Sequence, residues 1–141
     1  MIPDDLPRRV LQGLPDAVLI SNRDGVVWYW NAAAQRIFGY SATETLGRSM
    51  ELIIPYGLRA RHWSGWKKVM ETGLTRYGDG QLLSVPALHK DGRQISIEFS
   101  IQLLKEAGSR IEWVVAVIRD VTERFAREKA LQARLKALEG Q

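Results

Sequence analysis

The chain has 141 residues, 45% of them hydrophobic and 26% charged, with a net charge of +4 and a pI near 9.6. That length and balance suit one domain with a single core, and no apolar run approaches the roughly 20 residues a membrane-spanning helix needs. The absence of cysteine removes disulfides, thiolate metal sites and cysteine nucleophiles.

The N-terminus, Met1-Ile2-Pro3-Asp4-Asp5, has no basic stretch followed by an apolar one. Secretion is therefore not expected, and a cytoplasmic location is. Acidic residues interleave with the Lys and Arg, and no recognised DNA-binding motif is present, so neither nucleic acid nor a membrane is an expected partner.

Residues Asp4 to Gly13 read as a short amphipathic helix with Leu6, Val10 and Leu11 on its apolar edge, ended by Gly13 and Pro15. Ala17–Ser21 and Val26–Trp30 form a hairpin around Asn22-Arg23-Asp24-Gly25. Asn31 caps a helix through Phe38, and Gly39 stops it. Ser41 and Glu44 have capping-box spacing, opening a turn that ends at Gly47. Ser49–Ile54 is a further brief helical piece, closed by Pro55.

The segment from Tyr56 to Glu71 carries Leu58, His62, Gly65, Trp66 and Val69 at three- and four-residue spacing, a single helical face. Arg61, Ser64, Lys67, Lys68 and Glu71 fall on the other, solvated face. An imidazole turned inward needs a hydrogen-bond partner or a metal, because an unpaired buried polar group is costly. His62 is thus the candidate metal ligand. His89, in a polar turn, reads as exposed.

Thr72-Gly73 breaks the helix. Leu82–Leu88 and Gln94–Leu104 are strands joined by His89-Lys90-Asp91-Gly92-Arg93, and in the second Ile95, Ile97, Phe99, Ile101 and Leu103 alternate with polar residues. After a turn at Ala107-Gly108-Ser109, Ile111–Arg119 is apolar on both faces, as a covered central strand would be. From Val121 to Glu139 the pattern is helical, with Leu131, Leu135 and Leu138 on a partly apolar seam. This order specifies an α+β domain with helices against one face of an antiparallel sheet.

Asp24-Gly25, Asn31-Ala32-Ala33-Ala34 leading to Phe38-Gly39-Tyr40, Ser41 with Glu44 and Gly47-Arg48, Lys90-Asp91-Gly92, and Arg119-Asp120-Val121-Thr122-Glu123-Arg124 stand in register along the chain. In combination they resemble a PAS domain over roughly residues 8 to 125. The resemblance implies a PAS fold: a five-stranded antiparallel sheet with short helices over one face and a C-terminal signalling helix. It divides the chain into a cap helix (1–15), a PAS core (16–120) and a connector helix (121–141). It also implies a sensory, non-enzymatic role, and no phosphate loop, Ser/His/Asp set or paired-His motif argues otherwise.

Branches of the family that attach a chromophore through cysteine are excluded by composition. The chain resembles instead the b-type haem-binding sensors of oxygen-sensing histidine kinases in nitrogen-fixing bacteria, whose proximal His precedes a helix-ending Thr-Gly by ten residues. Here His62 precedes Thr72-Gly73 by ten. The resemblance implies haem b on His62, with Gly65 giving the macrocycle room and Leu58, Trp66, Val69, Ile97 and Phe99 walling the slot. It implies Lys68 and Arg76 as propionate partners. Where that group carries a distal Arg, this chain has Leu82 or Leu83; Tyr77 stands at a position apolar in the group, and Trp113 is a candidate distal donor. A diatomic gas or a redox change is the expected signal, and a homodimer through the N- and C-terminal helices the expected assembly. The alternative is a haem-free PAS module that binds another small ligand or mediates dimerisation.

Overall fold

A computed structural model describes every residue except 76–80, 107, 109 and 141. Helix α1 (Leu6–Gly13) leads into strands β1 (Ala17–Asn22) and β2 (Val27–Trp30). Helices α2 (Ala32–Phe38) and α3 (Ala42–Thr45), two 3-10 turns (Met50–Ile53 and Tyr56–Leu58) and helix α4 (Arg59–Thr72) follow. Strands β3 (Leu83–Leu88), β4 (Gln94–Lys105) and β5 (Ile111–Asp120) and helix α5 (Thr122–Glu139) complete the chain.

The five strands form one antiparallel sheet in the order β2-β1-β5-β4-β3. The run that is apolar on both faces, β5, lies at the centre, between β1 and β4. Cross-strand pairing sets a floor of small and branched side chains: Leu19 pairs with Ala116, Ala116 with Ile101, and Phe99 with Ile118. The helices cover this face. Phe38, Ala33 and Ala34 of α2 are fully buried against Trp30 and the sheet, and the indole of Trp30 donates to the Tyr40 carbonyl at 2.9 Å.

Asn31 ties the N-terminal third together. Its Oδ1 accepts from the backbone N–H of Val18 (2.9 Å) and Ala34 (3.0 Å), and its Nδ2 donates to the carbonyls of Leu11 (2.8 Å) and Asp16 (3.0 Å). One side chain thus caps α2 and pins α1 and the start of β1. Ser41 and Glu44 form the reciprocal capping box that their spacing predicts.

Two expectations are corrected here. The helix read from Tyr56 begins instead as a 3-10 turn and becomes α-helical at Arg59, whose Nε donates to the Ile54 carbonyl at 2.9 Å. His89 is not exposed: its side chain keeps 15% of its accessible surface. The β3–β4 turn folds onto the end of α2, where the Lys90 N–H donates to the Phe38 carbonyl. A Cβ on Gly39 would stand 2.6 Å from the His89 ring, so glycine is what lets the two elements meet. Of the turn at 107–109, only Gly108 lies within the described residues.

Candidate functional site

Between α4 and the sheet floor lies a cavity of about 470 Å³. It falls within the roughly 300–1,000 Å³ of small-molecule sites. Leu19 of β1, Ile97, Phe99 and Ile101 of β4, and Val114, Ala116 and Ile118 of β5 form its floor. Val85, Pro86 and Ala87 form the β3 side. Met50, Ile53, Ile54 and Leu58 close one end, and Arg61, His62 and Trp66 descend from α4. Ala116, in the middle of the floor, is where a larger side chain would consume the space.

The rotation of α4 is set by two tryptophans. Trp63 Nε1 donates to Glu51 at 3.2 Å, and Trp66 Nε1 donates to the Arg23 carbonyl at 2.7 Å. The Trp63 ring lies so close to the β1–β2 turn that a Cβ on Gly25 would stand 2.4 Å from it, and Gly25 has φ +77°. These anchors turn His62, Trp63 and Trp66 inward, with the His62 ring 4.5 Å from Trp63 edge-on and 5.7 Å from Trp66. The Trp66 indole is held in the wall, Trp63 lies off the lining, and the cavity stays open.

His62 is half-buried, and one of its ring nitrogens is fully so. Among the described residues, its Nδ1 is the buried side-chain nitrogen or oxygen with no hydrogen-bond partner. Burial pushes the imidazole below its ordinary pKa, against a weaker upward pull from the Glu51 carboxylate. A neutral imidazole with an uncommitted nitrogen, inside an apolar cavity, is chemically ready to bind a metal. Among the described residues no group of three or more His, Asp or Glu could hold a bare ion. One imidazole therefore suits a metal whose remaining ligands arrive with it, as in a macrocycle.

Of the candidate residues, His62, Leu58, Trp66, Ile97 and Phe99 line one cavity. Others do not, for identifiable reasons. Gly65 is exposed, and a Cβ there would meet nothing within 4 Å, so it touches no other part of the wall although it shares the helix face of Arg61 and His62. Lys68 is exposed and Val69 half-buried, both off the lining. Leu82 precedes β3 and is 60% exposed, while Leu83, on the same face as Val85, stands beyond the cavity. Trp113 alternates with Val114 onto the opposite sheet face, where its ring meets Trp28 edge-on at 5.6 Å, so it is no distal donor. Arg76 and Tyr77 lie outside the described residues.

Sequence reasoning missed Arg61, assigned to the solvated face, and the β5 residues Val114, Ala116 and Ile118. Their alternate spacing was visible, but a strand apolar on both faces does not declare which set points inward.

Residues 11–126 match a family described as PAS fold, and the chain belongs to that family. Among curated proteins, it is 27% identical over 135 residues to "Sensor protein FixL" of Bradyrhizobium diazoefficiens, covering 95% of this chain and 25% of that protein. It is 28% identical over 118 residues to "Oxygen sensor protein DosP" of Escherichia coli, covering 84% of this chain and 14% of that protein. The chain thus spans a quarter or less of the length of the curated relatives it matches. Among solved structures, a PAS domain from Colwellia psychrerythraea superposes with a TM-score of 0.71 at 20% identity, covering 85% of this chain and 99% of that one. The domain is a sensory module of the PAS type.

Proposed function

We propose that this domain holds b-type haem in the cavity between α4 and the sheet, with His62 as the protein's iron ligand, and that it senses a diatomic gas or a redox change. The observation that carries the reading is His62 itself, in the lining of a mainly apolar cavity and with no hydrogen bond from its side chain among the described residues. The resemblance of the His62–Thr72-Gly73 spacing to haem-binding sensors supports it, as does the similarity to proteins named for sensing, one of them for sensing oxygen. Haem, if held here by His62, would supply an iron able to take up a gas or change oxidation state.

The residues of the chain divide the remaining work. His62 orients the group and, held neutral by burial, keeps its nitrogen available at physiological pH. Trp63 and Trp66 fix the helix that presents it. Ile97, Phe99, Ile101 and Ile118 exclude water from the floor. The domain itself carries out no catalysis on this reading, and its output passes to a partner or a following domain.

Dimerisation belongs to the same proposal. Leu131, Leu135 and Leu138 of α5 are each about 60% exposed on one seam, and α1 has no buried residue, which supports a homodimer through the terminal helices. Sedimentation as a monomer at all micromolar concentrations would remove that part.

Haem titrated into the purified protein should give a Soret band saturating at one haem per chain, altered or lost in His62→Ala. Failure of haem-supplied protein to develop a His62-dependent band would overturn the assignment and leave a PAS module for another apolar ligand.

A further inference from the structure

Of the described cavity-lining residues, two are exposed: Arg61 on α4 and Val85 on β3. The cavity therefore opens to solvent between those two elements, and a cation stands at the opening. Arg61 and His62 are the ionisable side chains in the lining, and successive helical positions place them about 100° apart around the axis. One faces the mouth while the other faces the interior.

Of the other cations on α4, Lys68 lies off the lining and two are engaged. Arg59 lies 4.1 Å over the Tyr56 ring and donates to the Ile54 carbonyl, and Lys67 pairs with Glu71 on the same helix. Arg61 makes no ion pair or hydrogen bond among the described residues. A guanidinium beside an apolar cavity, with no anion paired to it among the described residues, has a planar fork that matches a carboxylate bidentately.

We propose that Arg61 is the anion-recognition residue of the site, and that the ligand is amphipathic. Its apolar body fills the cavity, and a carboxylate projects through the opening between α4 and β3. The identity of that body rests on the haem reading above; the charge at the mouth does not. For haem, Arg61 takes a propionate in place of Lys68, which lies off the lining. Because the guanidinium is exposed, the contact should tune affinity rather than create it, by about tenfold for a well-formed charge-assisted pair.

The test uses two iron-free probes on the full chain: protoporphyrin IX and its dimethyl ester, which share a body and differ in charge. Binding is followed by quenching of tryptophan fluorescence. The wild type should prefer the diacid by about tenfold, Arg61→Gln should abolish that preference by weakening the diacid alone, and Arg61→Lys should restore part of it. Equal affinity of the wild type for both probes, or an unchanged preference in Arg61→Gln, would overturn the proposal. Iron-free probes do not need His62 ligation, so the two readings fail separately. A preserved diacid preference without a His62-dependent haem band sinks only the haem assignment. A His62-dependent band without the preference sinks only the role of Arg61, and binding of neither porphyrin together with no His62-dependent haem band sinks both.

Discussion

Asn31 and His62 are both polar side chains set among apolar ones, and they are opposites. Asn31 is 1% exposed and makes four hydrogen bonds, to the backbone of β1, α2, α1 and the connection at Asp16. His62, on α4, leaves Nδ1 buried with none. A fully satisfied polar group specifies the fold, because each partner would be orphaned by its loss. An unsatisfied one carries a cost with no structural return, and on the proposed reading a ligand supplies that return. A buried polar residue and a half-buried one thus differ in hydrogen-bond count, and on the proposed reading that difference separates architecture from function.

The comparison predicts opposite responses to removal of each side chain. Asn31→Ala orphans four backbone groups at once, so denaturant unfolding should show a loss of about 3 kcal/mol, near the top of the ordinary range for single substitutions. A loss under 1 kcal/mol would mean that the knot is not what holds α1 and α2 to the sheet. Gly25→Ala comes next. It forces a side chain into positive φ and against the Trp63 ring, and should cost about 2 kcal/mol. It should also disturb tryptophan fluorescence, since Trp63 must shift.

His62→Leu should go the other way. Replacing an unpaired buried polar group by an apolar one of similar size should leave the ligand-free protein as stable or about 1 kcal/mol more stable. The pH dependence sharpens this. Because the folded-state pKa of His62 lies below its ordinary value of 6.5, the unfolded chain binds the proton first as pH falls. Stability from this group is therefore full above that value and declines as pH drops through it toward the lower folded pKa. Thermal melts from pH 8 to pH 5 should show that decline in the wild type, and a shallower one in His62→Leu. Identical slopes would remove burial of a neutral imidazole from the account.

The architecture was legible because each element carries a local signal. Asn31, Gly39, the Ser41–Glu44 pair and the Asp91-Gly92 turn mark boundaries by backbone chemistry that needs no tertiary information. The strict alternation of β4 gave the inward set Ile97, Phe99 and Ile101 directly. The site was legible only in part. The face of α4 was read by counting apolar positions, but its rotation depends on where two indoles find acceptors, Glu51 and the Arg23 carbonyl, both distant in sequence. That rotation brings Arg61 to the mouth. Trp113 was misplaced for a related reason: on a strand apolar on both faces, parity is fixed by register with β1 and β4, which composition does not encode.

The central claim is that the vacant hydrogen-bonding capacity of His62 is a metal-binding capacity. Replacing the side chain while supplying its chemistry tests this most directly. His62→Gly, expressed with haem, should lack the wild-type Soret band, and added free imidazole should restore it by occupying the space the side chain leaves. A His62→Gly protein whose haem spectrum matches the wild type without imidazole would contradict the claim, and so would one that imidazole leaves unchanged.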